Sequence, residues 1–259
     1  MDLKIKDRVA FVCASTSGIG LACATALARE GARVFINGRD EDRLALARQS
    51  IRQATGHDVS TVCADLNTAD GRAHIFDACP APDILVNNNA GPTPGKFEDW
   101  HEAEWLAALN ANLLAPIFLI QGYVRGMQAR RFGRIVNVTS AMVKSPRLHQ
   151  GLSTTARTGL TAFCKALSIE VARDNVTINN LLPERIDTGR LKQMVARMVS
   201  LESITPEEAR LKIADTIAAK RFGTPEEFGD TCAFICSAQA GYISGQNIQL
   251  DGGSYQGLI

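Results

Sequence analysis

Arg8-Val9-Ala10-Phe11-Val12-Cys13-Ala14-Ser15-Thr16-Ser17-Gly18-Ile19-Gly20 is the stretch on which the reading of the fold turns. Arg8–Val12 reads as a short, almost wholly apolar strand. Small residues and glycines follow it, and from Gly20 to Glu30 the pattern becomes helical. Small side chains behind a strand let the backbone approach a pyrophosphate, and the free N–H groups and dipole of the helix start favour its negative charge. Glycine-rich turns join many strands to helices, so the position after the first strand carries this reading. Ser15, Ser17, Gly18, Ile19 and Gly20 are the candidate contacts.

Outward from this unit, the same alternation continues to the end of the chain. Apolar, β-branched runs at Arg33–Asn37, Val59–Cys63, Ile84–Val86, Arg134–Val138, Val176–Leu181 and Asn247–Leu250 are the further expected strands. Helical patterns lie between them, among them Asp42–Thr55, Glu102–Ala129 and Thr154–Asp174. Such alternation implies parallel strands with right-handed crossovers and helices on both faces. Runs that are apolar at nearly every position suit strands covered on both sides. The expectation is a single-domain α/β Rossmann fold over residues 1–259, a doubly wound sheet of about seven strands. Residues 186–223 break the rhythm with a helical but more polar stretch carrying Arg190, Lys192, Arg197, Glu202, Glu207 and Glu208. An insertion there falls over the carboxyl ends of the strands, where open α/β sheets bind ligands, and is read as a substrate lid.

Composition narrows the function classes. A formal net charge of +1 gives no electrostatic reason to expect nucleic acid or an anionic membrane as partner. No uninterrupted apolar run reaches the roughly 18 residues of a membrane helix, and the charged start Met1-Asp-Leu-Lys-Ile-Lys-Asp does not read as a signal peptide. Seven cysteines, an odd number without zinc-ligand spacing, read as reduced core thiols and not as a metal site. A cytoplasmic location is expected.

The second strand ends Asn37-Gly38-Arg39-Asp40. A carboxylate there would accept from a ribose 2′-hydroxyl, whereas an arginine would pair with a 2′-phosphate. With Arg39 first and Asp40 next, NADP(H) is favoured over NAD(H). At this point nearly the whole chain resembles the short-chain dehydrogenase/reductase family, and most closely its 3-oxoacyl-acyl-carrier-protein reductases. Cys13–Gly20 is similar to that family's Thr-Gly-x-x-x-Gly-x-Gly, with Cys13-Ala14 in place of Thr-Gly. Asn87-Asn88-Asn89-Ala90 resembles Asn-Asn-Ala-Gly; the frame one residue later matches the letters better, but the first keeps the usual distance to Asn112. Pro183-Glu184-Arg185-Ile186-Asp187-Thr188 resembles Pro-Gly-x-Ile-x-Thr, and Gly245-Gln246 with Asp251-Gly252-Gly253 matches the last strand and turn. The resemblance implies that Asp65 and Leu66 contact adenine, that Asn87, Asn88 and Asn89 line the cofactor, and that Ile186 and Thr188 hold the nicotinamide carboxamide. It also implies homotetramers or homodimers built on the fourth and fifth helices and the last strand.

Catalysis in that family rests on Asn, Ser, Tyr and Lys. The resemblance puts Asn112 at the asparagine, whose carbonyl helps hold a water, and Ser140 at the serine, which hydrogen-bonds the substrate carbonyl oxygen. The tyrosine and lysine positions hold Ser153 and Arg157, and none of Tyr123, Tyr242 and Tyr255 is near them in sequence. A serine hydroxyl is a poor proton exchanger at neutral pH, and an arginine does not relay protons. Lys144 and His149 are the substitutes nearby in sequence. Three readings stay open. One is a hydride-transferring reductase of a small carbonyl or alcohol substrate with an altered acid–base group. Another is a catalytically silent subunit, nucleotide-binding or structural, in a hetero-oligomer with an active homologue. The last is a lyase, hydratase or isomerase using Arg157, Lys144 and Glu184.

Overall fold

The computed structural model describes residues 1–258. Its elements in chain order are β1 Val9–Val12, α1 Gly18–Arg29, β2 Arg33–Gly38, α2 Glu41–Thr55, β3 Ser60–Cys63, α3 Ala69–Ala78 and β4 Ile84–Asn87. Then come α4 Glu102–Leu109, α5 Ala115–Ala129, β5 Gly133–Val138, α6 Gly151–Val171 and β6 Val176–Pro183. α7 Gly189–Glu202, α8 Pro206–Asp215, α9 Pro225–Ile235 and β7 Asn247–Leu250 complete the chain. The strands form one seven-stranded sheet in the order β3-β2-β1-β4-β5-β6-β7, parallel at every pairing. This is the expected single-domain Rossmann fold, and all seven expected strands are present within one or two residues of their ends.

Strand β1 shows why the runs are apolar throughout. Ala10 and Val12 point to one face and join a core with Ala24 and Leu27 of α1, Leu44 and Ile51 of α2, and Phe228 of α9. Phe11 points to the other face, among Ile75 of α3, Leu119 and Tyr123 of α5, and Leu160 and Cys164 of α6. The period-two alternation therefore feeds two buried layers instead of one.

The strand order reverses between β1 and β4, which opens a crevice at their carboxyl ends. Four asparagines in register lie beside it and cross the sheet. The side-chain amide of Asn87 donates to Asn137 at 2.9 Å, that of Asn137 to Asn180 at 2.9 Å, and that of Asn180 to Asn247 at 2.8 Å. Each buried amide thus has a partner on the next strand, which meets the requirement that buried polar groups be paired.

Two features go beyond the sequence reading. Helix α4 runs into α5 through a π turn at Asn110–Leu114, so Glu102–Ala129 is one helix of 28 residues, long and apolar enough by length and composition to cross a bilayer. No uninterrupted apolar run within it reaches that length, as expected, because Asn110, Asn112 and Gln121 interrupt it. Its Leu119, Ile120, Tyr123, Val124 and Met127 are buried in the sheet-facing core. The stretch over 186–223 holds α7 and α8, which enclose a small core of their own made by Leu191, Val195, Ala209 and Ile213.

Candidate active site

The turn after β1 is held from behind. Ser15 is fully buried; its N–H donates to the Asn37 carbonyl at 2.8 Å and its hydroxyl to the Val12 carbonyl at 2.7 Å. This corrects its assignment as a ligand contact, because both of its polar groups are spent on the strands and it frames the loop. Gly20 is where the helix crosses the loop. A Cβ there would lie 2.4 Å from the Ala14 carbonyl oxygen and 2.8 Å from the Asn88 amide nitrogen. Gly18 adopts φ +56° at the start of α1.

Four helices are capped by a side chain: α2 by Asp40, α3 by Thr68, α8 by Thr205 and α9 by Thr224. Ser17 before α1 and Thr188 before α7 make no such bond. The first N–H groups of α1 at Gly18, Ile19 and Gly20 are therefore left for an anion. Thr188 faces this turn, since its Cβ would sit 3.6 Å from a Cβ at Gly18. Ile186 is buried and its neighbours pair with Gly223, through Gly223 N–H to the Arg185 carbonyl and Asp187 N–H to the Gly223 carbonyl.

A groove of about 690 Å³ continues from this turn, lined by Thr16, Ser17, Gly38, Arg39, Asp40, Arg43, Asp65, Leu66, Asn88 and Asn89 among others. The ambiguity between Arg39 and Asp40 resolves here. The Asp40 carboxylate accepts the Arg43 N–H at 3.0 Å as the N-cap of α2, so it is engaged by the helix. Arg39 lies 3.8 Å from Asp65 with its side chain 71% exposed at the rim. Arg43, one helical turn beyond, lines the same groove. Sequence reading missed it, although an arginine four residues after Arg39 at a capped helix start was the available signal.

The β4 loop binds the groove to the helix over it. Asn88 donates to the Ala14 carbonyl at 3.1 Å, which ties the loop to the first turn. Asn89 donates to the Asn67 side chain and to the Ala111 carbonyl, both at 3.1 Å, and Asn110 donates to the Asn67 carbonyl at 3.0 Å. Asn112, in the π turn and 3% exposed, donates to the Ala90 carbonyl at 3.3 Å. Its Oδ1 has no partner among the described residues. A cavity of about 20 Å³ lined by Asn112, Asn87, Asn88, Asn89, Cys13 and Arg157 adjoins it, room for one water molecule.

At the reacting end, Ser140 follows β5 and its Oγ accepts the Met142 N–H at 3.2 Å, which leaves its own proton to donate. Ser153 and Arg157 come together on one face of α6. Arg157 donates from Nε to Ser153 Oγ at 3.1 Å, from Nη1 to the Val138 carbonyl at 2.6 Å, and from Nη2 to the Asn89 carbonyl at 3.3 Å. Burial foremost, and the charge of Arg190 after it, push the Arg157 guanidinium down to about 10. The other candidates have surroundings of their own. The Lys144 ammonium lies over the ring of Tyr255, 5.2 Å from its centroid, and His149 is exposed in a single 3₁₀ turn. Glu184, one of the three residues of the non-redox reading, is paired with Arg147 at 3.3 Å. Tyr255, distant in sequence, packs against Lys144 of the loop after β5. No local signal marks a pairing across so much sequence.

Comparison with known proteins agrees with this geometry. The family profile described as enoyl-(acyl carrier protein) reductase matches residues 13–255. NADPH-dependent reductase BacG of Bacillus subtilis (strain 168) is 32% identical over 259 residues, covering 98% of this chain and 100% of that protein. The 3-oxoacyl-[acyl-carrier-protein] reductase FabG of Aquifex aeolicus (strain VF5) is 32% identical over 260 residues, with 98% and 100% covered. Among solved structures, L-sorbose reductase of Gluconobacter frateurii, complexed with NADPH and L-sorbose, superimposes with a TM-score of 0.94 at 30% identity, and each chain is covered completely. With its parallel sheet, its open first helix and a match over nearly its whole length, the chain belongs to the short-chain dehydrogenase/reductase family of oxidoreductases.

Proposed function

We propose that this protein transfers a hydride between NADP(H) and a carbonyl or alcohol substrate, with Ser153 and Arg157 standing where relatives carry tyrosine and lysine. The observation that carries this reading is the uncapped start of α1 opening onto a groove rimmed by Arg39 and Arg43. Gly20 and Gly18 fit a pyrophosphate, because a side chain at either would crowd or strain the cradle. The two arginines suit a 2′-phosphate, and the Asp40 carboxylate is turned to the start of α2. Relatives named for NADPH support the same choice.

When bound, the nicotinamide supplies or takes the hydride. The chain supplies the rest. Gly18, Ile19 and Gly20 N–H groups would hold the pyrophosphate, Asp65, Leu66, Asn88 and Asn89 would line the adenosine side, and Ile186 and Thr188 would orient the nicotinamide; Asn87, expected among these contacts, is instead spent on Cys13 and Asn137 within the sheet. Ser140 and Ser153 donate hydrogen bonds to the substrate oxygen, and the Arg157 charge stabilises negative charge developing there. Ser153 is a poor proton exchanger at neutral pH, so a water molecule gives its proton to the alkoxide oxygen and the hydroxide left behind passes to bulk solvent. Loss of a positioned general acid lowers the rate by about 10²–10⁴ relative to a tyrosine-bearing site. The α7–α8 pair closes over the substrate as a lid. Exposed Leu106, Leu114 and Phe118 on the α4–α5 helix support homotetrameric or homodimeric assembly. The unpaired thiols support a cytoplasmic location.

Titration with NADPH and NADH tests the reading. Wild-type protein is expected to bind NADPH more tightly, and an Arg39→Ala, Arg43→Ala double variant to lose about 10–100-fold in NADPH affinity while NADH is unaffected. Tight nucleotide binding without turnover of any ketone would instead favour the silent-subunit reading that the Ser153/Arg157 pair also motivates.

A further inference from the structure

We propose that the substrate of this site carries a carboxylate, and that Arg157 and Arg190 hold it beside the reacting carbonyl. The inference rests on the reductase reading and names its substrate class.

Arg157 is 8% exposed, yet every acceptor it meets is neutral: one hydroxyl and two backbone carbonyls. No carboxylate among the described residues lies within ion-pair distance of it. Three hydrogen bonds leave two of its five N–H donors unspent. A buried cation without a counter-charge is costly, and the cost persists unless a ligand supplies the charge.

The molecule holds an internal comparison. Arg134 is 1% exposed and also lacks a carboxylate, but it is closed on itself. It donates to the carbonyls of Ser237, Gly133 and Asn175 and to the Asn175 side chain, and it stacks on the Phe132 ring at 4.4 Å. Arg134 is a structural knot of β5. Arg157 meets no aromatic ring among the described residues and lines the small cavity beside Asn112.

Arg190 gives the second charge. It stands in the first turn of α7 and donates to the Pro92 carbonyl at 3.1 Å. A Cβ at Gly91 would lie 3.5 Å from Arg157 Nη2, so both guanidiniums meet the Asn89–Pro92 segment. Their mutual repulsion is part of what lowers the Arg157 pKa. The acids of the loop after β6 do not relieve it, because both are taken: Glu184 by Arg147 at 3.3 Å and Asp187 by Arg210 at 2.6 Å. Two cations without acids, one of them bonded to Ser153, describe an anion site at the reacting end. The phosphates of the nucleotide are served by the start of α1 and by Arg39 and Arg43, but Arg190 is two residues past Thr188. A cofactor phosphate is therefore the competing source of the anion.

Calorimetry separates the two. The ligands are 2-, 3- and 4-oxopentanoate and their methyl esters, titrated into NADP⁺-loaded wild type, Arg157→Met and Arg190→Met proteins. At least one acid is expected to bind tenfold or more tightly than its ester in wild type. In Arg190→Met that preference should fall toward unity with NADP⁺ affinity unchanged, so a failure of Arg157→Met to fold leaves the test intact. Equal binding of acid and ester in all three pairs would overturn the proposal. Loss of NADP⁺ affinity in Arg190→Met would overturn it too, assigning the arginine to the nucleotide. Should wild type bind no nucleotide, the reductase reading fails by itself; the same acid-to-ester ratio on the unloaded protein then decides the carboxylate site.

Discussion

Single residues change meaning when their partners are known. Asp40 competes in sequence with Arg39 for the ribose end, and in the fold its carboxylate caps α2. Ser15 reads as a phosphate contact, and in the fold it is walled in between β1 and β2. Gly20 keeps its reading and gains a reason, the 2.4 Å separation between a would-be Cβ and the Ala14 carbonyl oxygen. Gly20→Ala must push the turn off Asn88 and β1, an overpacking strain of about 1–3 kcal/mol. The variant is expected to melt several degrees lower and to lose nucleotide binding, checked by thermal unfolding and fluorescence titration. Ser140→Ala removes one donor to a developing oxyanion. A loss of about 10²–10³ in kcat with nucleotide affinity preserved is expected; steady-state kinetics beside a binding titration would show it.

Elements carry their own signals. Thr224-Pro225-Glu226-Glu227 opens α9 as a full capping box: Thr224 Oγ1 accepts the Glu227 N–H at 3.1 Å, and Glu227 accepts the Thr224 N–H at 2.8 Å. Arg221 first, then the Thr224 N–H, hold the Glu227 carboxyl down at about 2. A carboxyl depressed in the fold stabilises above its ordinary pKa and loses that contribution as pH falls through its folded value. The difference in Tm between wild type and Glu227→Gln should therefore be full above pH 4.5 and vanish near pH 2; thermal melts across that range check it. Thr224→Ala is expected to cost about 1 kcal/mol. The helix Glu102–Ala129 was legible by its period, but its π turn was not. Asn112 and its neighbours donate sideways to Ala90 and Asn67, and those partners lie on other loops.

At the scale of the whole molecule, the cysteines follow the layers. Burial foremost pushes the thiols of Cys13, Cys79 and Cys164 up to about 12, and Cys63 is the one half-buried cysteine. A thiol reagent at pH 8 is expected to label Cys63 at most in the native protein and all seven after denaturation, counted by absorbance or mass. Alternating apolar runs and turn glycines determined the sheet, its parallel sense and the nucleotide-binding end, because those depend on period and local backbone sterics. The same local chemistry placed Ser153 and Arg157 one helical turn apart. Only the tertiary structure decided which charges stay unpaired. Glu184 met Arg147, Asp187 met Arg210 and Asp40 met its own helix, while Arg157 and Arg190 met neutral carbonyls. Such pairings are set by through-space distance between separate loops, which no periodicity along the chain encodes.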